Sequence, residues 1–168
     1  MEKPIVNRVE KSPLISIDLE EWYSNVPRSI LDIKDWLHEG IILKEKEFRA
    51  FVEAHDWSQY KDSHLIVKCS VDAIIPSWAY LLVATYASPF AIRIVEGTTH
   101  TLDTILFTEF IDRLDVTAYK DKPIVIKGCA KKEIPLTAYL QLISKLQPIA
   151  KNIMFGEPCS TVPLYRKK

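Results

Sequence analysis

Three cysteines and one histidine are the residues of this chain best suited to chemistry. Cys69 follows the apolar run Leu65-Ile66-Val67, and Cys129 follows the similar run Ile124-Val125-Ile126. Cys159 stands in Gly156-Glu157-Pro158-Cys159-Ser160-Thr161, and His100 precedes it by about 59 residues in Gly97-Thr98-Thr99-His100. Thiolates and an imidazole make a tetrahedral zinc set and also hold iron. Cys69, Cys129, Cys159 and His100 are therefore the candidate metal ligands, with zinc or iron as the expected ion. Their spacing matches no zinc-finger pattern, so the set depends on the fold bringing strand ends together. The same residues allow a thiol enzyme or sulfur carrier, with Cys159 or Cys129 as nucleophile and His100 or Asp72 as its base. They also allow no chemistry at all, since free cysteine packs as a small hydrophobe. The chain would then be an interaction scaffold with an exposed apolar patch.

The remaining polar residues are expected in structural roles. Asp72 is placed to cap a helix beginning near Pro76. His64 precedes its apolar run, at the opposite end of a strand from Cys69 and roughly 16 Å away by strand rise. His55 ends a helical stripe, where a positive charge suits the helix dipole, and His38 lies in the loop 36–40. Asp18, Glu20 and Glu21 read as a solvated acidic edge. Tyr80 and Tyr139 read as core residues, and the turn Trp57-Ser58-Gln59-Tyr60 as a possible partner contact. No phosphate-binding Gly-rich loop, serine elbow or His-Glu-x-x-His string occurs. With only four glycines, no nucleotide cofactor is expected.

An internal repeat organises the elements that position these residues. Shifted by about 59 residues, the chain matches itself without a gap at about fifteen of about fifty positions. Phe48 and Phe51 fall on Phe107 and Phe110, and Tyr60-Lys61-Asp62 on Tyr119-Lys120-Asp121. Ala79-Tyr80-Leu81 falls on Ala138-Tyr139-Leu140, and Gly97 on Gly156. Each copy reads as helix, Asp/Lys-rich turn, strand, helix beginning near a proline, and closing strand. The helical stripes occupy 46–55 and 102–114, and the closing strands 91–95 and 151–155. The short, continuously apolar strands are those of a parallel sheet covered on both faces. The predicted fold is α/β: a predominantly parallel sheet flanked by helices, built from an internal duplication of an α-β-α-β unit. The expected organisation is a single domain, 1–168, with N-terminal strands in 1–44 and repeat copies in 45–103 and 104–163. A basic tail, 164–168, is read as a solvated end. Leu14-Ile15-Ser16-Ile17-Asp18-Leu19 and 30–33 alternate as edge strands or a small hairpin do. If the copies pack about a pseudo-two-fold axis, Cys69 and Cys129 leave neighbouring strands ~5 Å apart. All three cysteines and His100 then share one sheet edge, where parallel sheets bind ligands.

Bulk properties narrow the partners. Formal charge is zero, which argues against a dedicated nucleic-acid binder. No apolar run reaches the ~18 residues of a membrane span, and the charged, proline-containing start Met1-Glu2-Lys3-Pro4 is no signal core. A cytoplasmic location with reduced thiols is expected. The oligomeric state is left open.

Three strings carry a family resemblance. His55-Asp56-Trp57-Ser58-Gln59-Tyr60-Lys61-Asp62, Ile126-Lys127-Gly128-Cys129 and Gly156-Glu157-Pro158-Cys159-Ser160-Thr161-Val162-Pro163-Leu164-Tyr165 resemble a family of proteins of unknown function from Bacteroidota. The likeness runs from Asn7-Arg8-Val9 to the basic tail and includes all three cysteines but not His100. It implies genes often lying beside those for iron–sulfur cluster assembly of the sulfur-mobilisation type, and hence iron–sulfur assembly proteins as partners. On that reading the chain is a metal-binding accessory protein serving cluster assembly.

Overall fold

The computed structural model describes residues 13–128, 131–157 and 159–168. The chain forms two compact units. One is continuous, Ser24–Asp103; the other is split, combining the segment that ends at Tyr23 with Thr104–Lys168.

The continuous unit contains β2 (Arg28–Asp32), α1 (Glu45–Ala54), β3 (His64–Lys68), α2 (Ser77–Ala87) and β4 (Arg93–Glu96). The split unit contains β1 (Ile15–Ile17), β5 (Pro123–Ile126), α4 (Leu136–Leu146), β6 (Asn152–Glu157) and β7 (Ser160–Arg166). Helix α3 (Thr99–Arg113) carries the boundary between the units in the chain. The fold is α/β with two mostly parallel sheets. One has the order β2-β3-β4, all parallel; the other is β1-β5-β6-β7, parallel except for β7 against β6.

The single sheet expected from the sequence is therefore two. The N-terminal strands account for the difference. They form no hairpin; β2 pairs with β3 and β1 with β5, both parallel. With β4 and β6 on their other sides, β3 and β5 have no edge left with which to pair each other. A further strand, β7, occupies the stretch read as a loop and basic tail.

Local chemistry repeats along with the elements. Each strand β1 and β2 ends at an aspartate whose carboxylate caps a short 3-10 turn: Asp18 accepts from the Glu20 amide and Asp32 from the Lys34 amide. Each turn closes on a tryptophan, Trp22 or Trp36. Before β3 and β5 the chain turns through Asp62 and Asp121, at φ of 57° and 54°, a left-handed conformation that aspartate tolerates better than most side chains. Their amides donate equivalently, to the carbonyls of Phe90 and Ile149. Helices α2 and α4 bury one residue per turn, Ala79, Val83 and Ala87 in one and Ala138, Leu142 and Leu146 in the other. That i, i+4 stripe faces the strand residues Leu65 and Val67, or Ile124 and Ile126, across each unit's own core.

Aromatic packing distinguishes the continuous unit. Trp36 meets Phe48, His55 and Trp57 edge-on, and Trp57 lies beside Tyr60 and Tyr86. Trp57 is 6 % and Tyr60 4 % exposed, so the two aromatics of the turn read as a partner contact are core, while Ser58 and Gln59 between them are exposed. Trp57 Nε1 donates to the Val52 carbonyl at 2.9 Å, satisfying its buried N–H. At the end of α1, burial disfavours the charged form of His55. Burial holds its pKa below the usual imidazole value against the opposing charge of Asp56, and its Nε2 lies 2.8 Å from the Tyr60 hydroxyl.

Candidate functional site

The sequence-predicted ligands are distributed over both units. Cys69 directly follows β3 and is half-buried, its thiol donating to the Val71 carbonyl at 3.6 Å. His100 is exposed in the first turn of α3. Both belong to the continuous unit. Cys159 belongs to the split unit, exposed in the turn between β6 and β7. Cys129 lies outside the described residues. The expectation that Cys69 and Cys129 leave adjacent strands of one sheet is overturned, because β3 and β5 belong to different sheets. Among the described residues no three His, Cys, Asp or Glu side chains are grouped to hold a metal. Asp72 does not cap α2: the N-cap position is Pro76 and makes no side-chain cap bond.

The carboxyl ends of the strands instead carry a polar set that sequence reasoning missed. In the split unit, Asp18 Oδ2 lies 3.2 Å from Lys127 Nζ, while Glu20 Oε2 accepts from the Lys131 amide at 2.9 Å. The hydrogen bond and charge of Asp18 raise the Lys127 pKa. Burial raises that of Tyr139 on α4, and the charges of Asp18 and Glu20 add to it. Of the acidic cluster, Asp18 is thus engaged by a lysine side chain and Glu20 by a backbone amide, while Glu21 is exposed. In the continuous unit, Asp32 accepts from the Ser70 amide at 3.1 Å and the Lys34 amide at 3.2 Å. Burial pushes its pKa up, but the hydrogen bonds from Ser70 and Lys34 outweigh this and hold it below the usual carboxylate value. Burial raises the Tyr80 pKa, helped by the charges of Glu96, Cys69 and Asp32. Both phenols remain neutral donors at ordinary pH. Lys68 and Lys127, and Tyr80 and Tyr139, are related by the repeat. The aspartates were detectable too, since Asp18-Leu19-Glu20-Glu21-Trp22 resembles Asp32-Ile33-Lys34-Asp35-Trp36.

Next to this set the split unit has an open apolar cleft of about 260 Å³. Leu136, Tyr139, Leu140 and Ile143 line it from α4, Ile126 and Phe155 from β5 and β6, and Leu164 from β7. Gly128 stands at the end of β5, where a Cβ would come within 2.8 Å of the Phe155 ring; glycine there lets the ring close that side. Leu136 is 69 %, Leu140 60 %, Val162 60 % and Leu164 51 % exposed. These four side chains place apolar surface on both α4 and β7. Leu136, Leu140 and Leu164 line the one cleft, and apolar residues gathered in this way mark a binding surface more often than scattered exposed leucines do.

No helix among the described residues is long and apolar enough to cross a membrane. No curated protein and no solved structure matches the chain. A family model matches residues 3–167, nearly the whole sequence, and by it the chain belongs to the family described as Protein of unknown function (DUF2480).

Proposed function

We propose that the protein is a non-catalytic binding accessory of iron–sulfur cluster assembly in Bacteroidota, docking an assembly protein through the apolar cleft between α4 and β7. The exposure of Leu136, Leu140, Val162 and Leu164 carries this reading. Burying one leucine fully contributes about 1.5–3 kcal/mol, so a few such residues supply a useful share of a docking energy. The cleft accepts side chains inserted from a partner, and the neighbouring Asp18–Lys127 pair provides a polar rim of the kind that surrounds interface cores. The test is calorimetric titration of the purified scaffold proteins of the sulfur-mobilisation system with this chain and its Leu140→Glu variant. Saturable binding weakened at least tenfold by the variant supports the reading. Binding that ignores the substitution, or none, overturns it.

A second reading is favoured by the exposed thiol of Cys159 in the β6–β7 turn. Here the protein is a metal-binding accessory, with Cys129 and Cys159 of the split unit supplying ligands to zinc or iron. Metal content of protein purified without oxygen or an affinity tag decides it. About one ion per chain, lost in Cys129→Ser and Cys159→Ser, is the expected result. Metal-free protein with freely titrating thiols overturns it.

A further inference from the structure

At the opposite edge of the split unit's sheet, where β5 and β6 begin and β7 ends, lies a groove of about 720 Å³. Lys122, Lys151, Arg166 and Lys167 line it, with Asp121 as its one carboxylate among the described residues. Asp121 is engaged by Lys167, 2.9 Å from Nζ to Oδ1, which leaves an excess of positive charge. Three of the cations stand on adjoining strand ends. The Lys151 amide donates to the Lys122 carbonyl at 3.0 Å, and the Lys167 amide to the Lys151 carbonyl at 2.9 Å. Neighbouring strands are ~4.8 Å apart, and like charges set opposite one another across strands are destabilising.

The backbone does not demand these lysines. In the continuous unit the equivalent bond runs from the Ile92 amide to the Ser63 carbonyl at 2.9 Å, so serine and isoleucine occupy the positions of Lys122 and Lys151. Those two positions thus need no lysine for the backbone bond, although Arg28 and Arg93 open β2 and β4 nearby. Within the row Asp121 offsets Lys167 alone, and an anion would offset the rest.

We infer that this groove binds a phosphorylated small molecule. Its volume lies in the ~300–1,000 Å³ range of small-ligand sites. Lysine ammoniums act as point charges towards phosphate, and Arg166 adds a planar fork for two phosphate oxygens. Met154, Pro163 and Tyr165 line the same groove and offer apolar surface to the organic part. Asn152, at the start of β6, lines it too. The groove and the cleft between α4 and β7 share Leu164 among their lining residues, and none of the groove's cations lines the cleft.

The test is a titration of isotope-labelled full chain with tripolyphosphate at low salt, followed by amide NMR shifts. Saturating shifts centred on Lys122, Lys151, Asn152, Arg166 and Lys167 are expected, weakening as salt is added. One ion-pair contact at ~4 Å in water is a factor of about five. Lys151→Gln therefore weakens binding about fivefold and Lys151→Glu about 25-fold, while Lys168→Gln leaves it unchanged. Lys151 is exposed, and an unaltered far-ultraviolet circular dichroism spectrum establishes that the variants fold. Non-saturating shifts spread over surface lysines, or a Lys151→Glu variant that binds as the parent does, overturn the site. So does binding of a poly-glutamate peptide with no response to tripolyphosphate, which would assign the groove to an acidic protein segment.

Discussion

Asp103→Asn removes one charge from the continuous unit's best-buried ion pair. Arg28 Nη2 donates to Asp103 Oδ1 at 2.6 Å, with side-chain exposures of 18 % and 7 %. The guanidinium is also held by Nη1, which donates to the carbonyls of Ser24 at 3.0 Å and Val26 at 3.3 Å. It therefore cannot swing freely into water when its carboxylate is lost. Removing one partner of a fully buried pair costs roughly 3–5 kcal/mol, because the other charge stays behind uncompensated. The partial exposure of Arg28 reduces that to about 2–4 kcal/mol. With a urea slope of about 2 kcal/mol per molar, the midpoint of unfolding falls by about 1–2 M. Three of the four tryptophans, Trp36, Trp57 and Trp78, belong to this unit, so fluorescence follows the relevant transition. The double variant Arg28→Met with Asp103→Leu should recover at least half of the loss, since replacing a buried pair by apolar residues is often neutral. An Asp103→Asn midpoint within 0.2 M of the parent, or a double variant worse than both singles, would refute the claim that the uncompensated charge is what costs.

Three other outcomes follow from the geometry. Burial holds the pKa of both His55 and His64 below the usual value, and the charges of Arg28 and Arg93 add to this at His64. The unfolded chain then binds more protons just below the ordinary imidazole pKa of about 6.5, so stability is constant above it and declines as pH falls towards the folded values; urea midpoints that are flat from pH 7 to 5 would contradict this. Gly156 has φ +122°, and a Cβ there would meet the Ser160 carbonyl oxygen at 2.6 Å, so Gly156→Ala should cost roughly 1–3 kcal/mol, read as a lower thermal midpoint. Leu140→Glu and Leu164→Glu replace side chains 60 % and 51 % exposed and should leave stability within about 0.5 kcal/mol, whereas Leu142→Ala, at a fully buried site on the same helix, should cost about 2–5 kcal/mol.

Much of the local structure was legible in the sequence because it follows from periodicity. Continuous apolar runs became β3 and β5, and the stripe read over 46–55 became the buried face of α1, Phe48 and Val52. Prolines marked the starts of α2 and α4, and the recurring Tyr-Lys-Asp string became the same left-handed turn twice, at Asp62 and Asp121. β7 was harder to see: Pro163 interrupts its run and most of its side chains are exposed, so the alternation that marks a half-buried strand is missing.

Which strands become neighbours is another kind of question, and only the tertiary structure decided it. Periodicity reports which face of an element is buried, not which partner buries its edge. The three-residue β1 and the five-residue β2 are short stretches separated from their partners by long segments that carry other elements, and nothing local distinguishes pairing with β5 from pairing with β3. Their choice made two sheets from one expected sheet, and with that it put β3, which leads to Cys69, and β5 in different sheets. The cleft has the same origin. Leu136 and Leu140 read as ordinary helix residues until the packing of Ala138 and Leu142 turns them outward. The row of lysines likewise assembles only when β7 returns antiparallel to β6 and brings Lys167 beside Lys151. Residue types and spacing determined the elements; hydrogen-bond pairing over long sequence distance determined which surfaces those elements share.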